Sequence, residues 1–446
     1  MSKSSAKRSH VSQPGVSVER IADLGIVGAG GGGFPTAVKL AARVSTVIVN
    51  GAECEPLLHK DKELLHHLAE PMLRGLATAM RLVGARAGII GIKEKYTNVI
   101  EGLEPLLPPD VRILPLRDSY PAGDEFLLVY DAVGRIIPPG GLPKDVDAVV
   151  ANVETLVNIG LDEPVTHKYL TVAGAVATPV TLRVPIGMAI GEVIARAGGA
   201  TSDDVGVLLG GAMMGRLAAG LDEPVTKTLG GIVVLPASHA LVGRYRATPR
   251  QIARIGRSAC DQCRFCTDLC PRFLIGHPIQ PHLAMQSLGF SASPEPLVAG
   301  TLYCCECNLC SLYSCPENLD PKNVCVASKP IAREKGLGWS GTPESIEAHP
   351  LAADRRVPMK RLTTKLGLGA FRNVGPLEEL GVEPRRVVLP LKQHAGPPAE
   401  PAVRPGARVS AGDVVAAPAP RALGARIHAS IAGTVRSVDG AVVIEV

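Results

Sequence analysis

The sequence predicts a multidomain α/β protein, and three of its features carry that expectation. Residues 21–163 alternate β-branched runs with apolar residues at helical spacing, which favours a parallel sheet covered by helices. Residues 164–240 switch to short strands broken by Gly and Pro, as in a compact α+β module. Eight of the 11 cysteines then crowd into two short runs within residues 245–330, a segment expected to be short helices and loops packed around what the thiols hold. The 446-residue length suits about three domains. A hydrophobic fraction of 46% secures a core, while 48 Gly, 38 Pro and 3% aromatics mark a chain rich in loops.

In chain order, residues 1–20 are basic and polar without an apolar stretch, so they read as a disordered tail and not a secretory signal. VERIADLG reads as a helix entering a glycine-rich loop, and Val44 to Asn50 as the first convincing strand. His59 to Val83 carries apolar residues at helical spacing, and Ala87 to Ile92 and Val111 to Leu116 are further strands. In the next module TVAGAVATPVTLRVP reads as a hairpin, and GMAIGEVIARAGG as a small helix ended by glycine. Residues 331–383 read as a linker. Residues 384–446 give short strands with glycine turns, expected to form a small β sandwich or barrel.

Composition also excludes some functions. A net charge of +5 without basic residues interleaved with aromatics gives no case for nucleic acid. No apolar run is long enough to predict a membrane span. Seven arginines against two aspartates between Arg244 and Arg272 read first as a solvated face that offsets negative charge nearby, with an acidic partner's docking site as the sharper alternative.

The cysteines carry the strongest chemical signal. Cys260, Cys263, Cys266 and Cys270-Pro271 form one run, and Cys304, Cys307, Cys310 and Cys315-Pro316 the other. C-x2-C-x2-C followed by Cys-Pro is ligand spacing for paired [4Fe-4S] clusters, with the Cys before Pro reaching the other cluster. One cluster would take Cys260, Cys263, Cys266 and Cys315, the other Cys304, Cys307, Cys310 and Cys270. The second run is irregular: four residues separate Cys310 from Cys315, and Cys305 could replace Cys304. Zinc sites rarely use a third cysteine two residues on, and disulfides do not suit a chain of this size read as lacking a signal peptide. Clusters and unpaired thiols suit a reducing cytoplasm.

Gly28, Gly30 and Gly33 satisfy G-x-G-x-x-G, and Glu53 lies twenty residues beyond. The dinucleotide fingerprint needs a strand before its glycines, whereas a helix precedes these. The loop therefore reads as backbone that approaches a phosphate or planar ring, with Pro35 opening the next helix, or else as a merely flexible loop.

GAGGGGFPTAVKL, NGAECEPLLHKDKELL, YPAGDE and NVET together resemble the FMN-binding subunit of respiratory NADH dehydrogenase and its RnfC-type relatives. The likeness spans nearly the whole chain. It implies a Rossmann-like FMN/NADH domain at 21–163, a β-grasp (SLBB) module at 164–240, a ferredoxin-like two-cluster segment at 245–330 and a barrel-sandwich module at 384–446. In RnfC the barrel module comes first; its position at the C-terminus here is similar to the cobalamin-reductase branch of the family. The resemblance implies that Gly28, Gly30, Gly31, Gly33, Phe34 and Lys39 cradle FMN, and that Asn50, Glu53 and Glu55 line the flavin and nicotinamide site. Tyr120, Gly123, Asp124 and Glu125 would form a later loop over the flavin, and Asn152 with Thr155 would finish its pocket. The cofactors implied are FMN, NADH and two [4Fe-4S] clusters. The acceptor implied is cobalamin, with a corrinoid adenosyltransferase and microcompartment shell proteins as partners and a cytoplasmic location at or inside such a compartment. Rival readings are an RnfC-like component serving a membrane complex and a non-catalytic, cluster-bearing relay. Cys54 and Cys325 read as packed small residues, and His277 and His282 as loop histidines before corrinoid ligands.

Overall fold

The structure is a computed structural model that describes residues 16–446 other than 293, 380 and 382. Most of the expected tail lies outside the described residues. The helix Val18–Asp23 opens on Ser17, whose side chain accepts from the Arg20 amide.

Four parallel strands form the first sheet, in the spatial order Val111–Leu116, Ala87–Lys93, Thr46–Gly51 and Ala148–Asn152. The chain leaves Thr46–Gly51 toward one edge and returns as Ala148–Asn152 on its other side. The topological switch point therefore lies between those two strands, at the carboxyl ends where open α/β sheets bind ligands. Register places Asn50 opposite Asn152 at that point.

The helical run expected over His59 to Val83 is two helices, Lys60–His67 and Ala69–Val83. Pro71 explains the break, because its ring would clash with the carbonyl four residues back in a continuous helix. Ala69–Val83 crosses Val153–Leu161 at glycines: a Cβ on Gly75 would stand 1.9 Å from the Leu156 carbonyl oxygen, and one on Gly160 1.9 Å from that of Pro71.

The second sheet is mixed. His167–Gly174 pairs antiparallel with Val180–Pro185, the hairpin read from sequence, and parallel with Gly231–Pro236. The stretch 331–383 is built into the fold and does not act as a free linker. Its Val357–Pro358 pairs with Ser119–Tyr120, and Leu377–Glu378 adds an edge strand to the second sheet. Val357, Met359, Leu362, Leu366 and Leu368 are buried with Tyr120 and Leu309, an apolar set that the surrounding Gly, Pro and charged residues hide in the sequence.

The C-terminal strands form two small sheets, and their core is continuous with that of the first domain: Val387, Leu389, Ile427 and Val435 join Ile21, Leu24 and Leu40. Lys227 ties three parts together. Its buried ammonium group donates to the Gly25 carbonyl at 2.7 Å and the Arg426 carbonyl at 2.6 Å. Burial pulls Lys227 down from its usual 10.5 to about 7. Below that pH the folded and unfolded chains both carry the charge, and the cost of burying it is fully present. Between about 7 and 10.5 the unfolded chain binds more protons, so this residue's contribution to stability improves as pH rises. Lys227→Met is expected to flatten that part of the stability profile, seen by comparing thermal midpoints at pH 6.5 and 9.5 in variant and wild type, pH values chosen to lie roughly on either side of the shifted group. An equal pH dependence in the two proteins would remove Lys227 as its source.

Candidate functional site

The glycine loop lies against the switch point. The Gly28 amide donates to the Phe34 carbonyl and the Gly33 amide to that of Gly28, which closes the loop on itself. Gly30, Gly31 and Gly32 are exposed, and a Cβ added at Gly31 or Gly32 would meet nothing within 4 Å. Gly33 is the opposite case. At φ +62° its Cβ would stand 2.9 Å from Thr228 and 3.2 Å from His394, so only glycine suits the seam where the middle and C-terminal modules close on the loop. The Ala395 amide donates to the Gly33 carbonyl across that seam.

Around the open side of the loop the expected residues converge. A Cβ on Gly30 would lie 3.4 Å from Asn152, and Ala29 donates its amide to the Thr155 hydroxyl at 3.0 Å. Asn152 donates to Asp61 at 2.9 Å, and Asn50 donates to the Gly123 carbonyl at 2.8 Å. Lys39 uses two of its three donors on Glu125, at 3.3 Å, and the Val150 carbonyl, at 2.9 Å. Open backbone amides, a lysine and carboxamides at a switch point are a donor set that fits a flavin phosphate and ribityl chain.

Three residues of the implied flavin set have their polar atoms engaged elsewhere. Both Glu55 oxygens accept backbone amides at 2.8 Å, from Met213 and Met214. Asp124 caps the helix Glu125–Val133 and pairs with Arg272 at 2.9 Å. The buried Tyr120 hydroxyl donates to the Cys307 carbonyl at 2.6 Å. These three join the flavin-side domain to the middle module and to the cysteine segment.

Beneath the loop lies a buried ionic network that motif reading missed, although Lys60, Asp61 and Glu154 stand inside the motifs that carry the family resemblance. Glu154 accepts from Lys60 at 3.0 Å, from Lys168, and from the Tyr169 amide at 3.0 Å. Lys60 also pairs with Asp61 at 3.0 Å, and Lys168 donates to the Ala29 carbonyl at 3.0 Å. Burial alone would push the Glu154 carboxyl up, but the Lys168 and Lys60 ammonium groups outweigh it and hold it low. Burial and the nearby Asp61 charge push the Glu53 carboxyl up, next to two cations, Lys60 and Lys168, and two further carboxyl groups, Asp61 and Glu154.

In the cysteine segment, one cavity is lined by Cys260, Cys263, Cys266 and Cys315, with His282 and Glu317 on its wall. Cys270 lies instead near Cys304 and Cys305, and Cys307 and Cys310 lie near Cys270. The backbone repeats between runs. Cys260 (φ −84°, ψ 111°) and Cys304 (φ −64°, ψ 118°) both close a helical turn. The middle cysteine of each run is flanked by left-handed residues, Gln262 and Arg264 in one and Glu306 and Asn308 in the other. Positive φ at four non-glycine residues is strain of the kind concentrated at ligand sites. The repeat sets Cys304 in the place of Cys260, and Cys305 in the place of Asp261. The extra residue before Cys315 is absorbed by a single π-helical turn, Cys310–Ser314. Four thiols around one cavity, further cysteines near Cys270, four strained turns and a buried, unpartnered Arg272 Nε fit iron–sulfur chemistry.

The remaining candidates are packed residues. Burial raises the Cys54 thiol to about 12. Cys325 is fully buried next to Cys304. His277 is buried, is pulled down to about 4 by that burial, and meets the Ile137 carbonyl at 2.8 Å. His282 meets the Thr267 hydroxyl at 2.8 Å.

Residues 21–161 match the family model of the Nuo51 FMN-binding domain, 169–217 the SLBB domain, 259–320 a 4Fe-4S dicluster domain and 373–445 the RnfC barrel sandwich hybrid domain. Cobalamin reductase PduS of Citrobacter freundii is 46% identical over 427 residues, 94% of each chain, and that of Salmonella typhimurium is 46% identical over 426 residues, again 94% of each. A component of the Na(+)-translocating ferredoxin:NAD(+) oxidoreductase complex of Acetobacterium woodii is 38% identical over 264 residues, 56% of each chain. Fold, site and relatives together define an electron-transfer oxidoreductase that binds FMN and [4Fe-4S] clusters. Within that class, the chain belongs to the PduS cobalamin reductase family. No helix among the described residues is long and apolar enough to cross a membrane.

Proposed function

We propose that the chain is an NADH-dependent reductase that delivers electrons to cob(III)alamin or cob(II)alamin, in support of adenosylcobalamin regeneration for propanediol utilisation. Bound FMN would accept hydride from NADH and release electrons singly, and two [4Fe-4S] clusters would conduct them. The chain's own groups bind and orient. The open amides of Gly30 to Gly32 and the remaining donor of Lys39 receive the flavin phosphate, with Gly28, Gly33 and Phe34 shaping the loop, and Asn50, Glu53, Asn152 and Thr155 fix the flavin and nicotinamide. Cys304, Cys307, Cys310 and Cys270 hold the flavin-side cluster, and Cys260, Cys263, Cys266 and Cys315 hold the outer one, where Cys263 is exposed. The observation that supports this order most is the Tyr120 bond to the Cys307 carbonyl, which joins the loop after the flavin domain's third strand to the second cysteine run. Cytoplasmic residence at or inside a microcompartment belongs to the same proposal.

The test is anaerobic. The purified chain should hold FMN stoichiometrically, NADH should bleach it, and cob(II)alamin should then be reduced without another protein. Intact flavin bleaching without cobalamin reduction would favour a relay resembling the related component of the ferredoxin:NAD(+) oxidoreductase complexes. Absence of FMN would leave a non-catalytic relay.

A further inference from the structure

The two cysteine runs share a backbone conformation, but the residues after their Cys-Pro pairs differ in charge. Cys270-Pro271 leads into Arg272, and Cys315-Pro316 into Glu317. Glu317 is exposed at the rim of the cavity lined by Cys260, Cys263, Cys266 and Cys315. Arg272 is only 8% exposed. Its guanidinium stacks on the Phe126 ring at 3.5 Å, pairs with Asp124 at 2.9 Å and stands near Cys305. Its Nε is buried without any partner. A buried cation with an open donor is costly unless something answers it. The Asp124 carboxylate does so only in part, since one of its oxygens already accepts from the Phe126 and Leu127 amides.

We propose that Arg272 sets the potential of the cluster held by Cys304, Cys307, Cys310 and Cys270, making its reduced form accessible. The inference rests on the two-cluster reading above. Reduction adds one negative charge to a cluster, and burial opposes that charge, whereas a nearby cation and N–H donors favour it. Arg272 supplies both on the buried side of the segment. The other cluster lies by the exposed Cys263, where water does the same work, and it has a glutamate in the arginine's place. One electron enters the cluster and no atom is transferred. Arg272 stays protonated throughout, because a guanidinium does not titrate in the working range. Asp124 and Arg272 therefore act as opposed levers on a single potential.

The test is an EPR-monitored potentiometric titration of the anaerobic holoenzyme with iron and FMN content measured in parallel. At a fixed potential Arg272→Met should lower the reduced-to-oxidised ratio of this cluster about tenfold, equivalent to about 59 mV for one electron, and move the other cluster by less than about twofold. Arg272→Lys, which keeps the charge but loses the planar fork, should fall between. Asp124→Asn keeps the helix cap and removes the opposing charge, so it should shift the ratio upward. About eight irons per chain in the wild type is the separate check on the two-cluster reading, and a much lower count overturns that reading. With iron content at the wild-type level, unchanged ratios in Arg272→Met and Asp124→Asn overturn the role of Arg272. If Arg272→Met loses its cluster, the other two variants decide, and no shift in either overturns the proposal.

Discussion

Glu154→Leu is expected to strip the chain of its flavin and to lower its thermal midpoint. The glutamate is fully buried and answers two ammonium groups, Lys60 and Lys168, that are themselves almost without exposure. Removing one partner of a buried ion pair costs about 3–5 kcal/mol, because the other charge is left unanswered. Asp61 can still pair with Lys60, so the orphan would be Lys168. Burial already holds that lysine down to about 8, and the shedding of its proton sets an upper limit on the loss. Function suffers because Lys168 also grips the Ala29 carbonyl, and the Tyr169 amide that Glu154 accepts lies on the first strand of the middle module. The glycine loop proposed to receive FMN is thus anchored to the next domain through this carboxylate. The double variant Glu154→Leu/Lys168→Met removes charge in balance and should recover much of the stability but not the loop anchor. FMN content and thermal midpoint measured on the three proteins form a coupled cycle. A wild-type midpoint and full FMN in Glu154→Leu would show that the network does not support the loop.

That network illustrates what a linear reading captures and what it loses. Alternation along residues 21–163 and the cysteine spacing are local patterns, so the α/β class and the iron–sulfur chemistry are legible in the sequence alone. Val47 to Val49 are buried in the central strand as their β-branched run suggests. Glu154 cannot be read in the same way, because its partners stand 94 and 14 positions away and nothing near it in sequence marks them. Pro71 is a local signal, outweighed by a strong helical periodicity on either side. The structure of 331–383 is illegible for another reason. Its apolar residues fill the core formed by Tyr120 and Leu309, so their spacing answers to that surface and not to a helical or strand period. The choice between Cys304 and Cys305 is likewise invisible in spacing alone. Matching the left-handed residues around Cys263 and Cys307 in order favours Cys304, because conformation repeats where residue identity does not.

The same repeat gives the variant pair with the second large effect. Cys263→Ala and Cys307→Ala are each expected to remove about half the iron, since each takes a ligand from one cluster. Both should keep FMN and its bleaching by NADH, because the glycine loop and the Lys60–Glu154–Lys168 network touch neither residue. Both should also bring NADH-driven cobalamin reduction down to background. They differ in what NADH can reach. In Cys263→Ala the surviving cluster is the one whose Cys307 carbonyl accepts from Tyr120, so NADH should develop its EPR signal. In Cys307→Ala the surviving cluster lies at the exposed outer end, separated from the flavin side, and should stay oxidised on the time scale in which NADH bleaches the flavin. The reverse pattern would invert the order of the clusters, and full iron retention in either variant would remove that cysteine from the ligand set. The buried bond from Tyr120 makes the first outcome the expected one. It fixes the backbone of the second run against the flavin-side domain, and Arg272, just after the one first-run cysteine assigned to the same cluster, pairs with Asp124 of that domain.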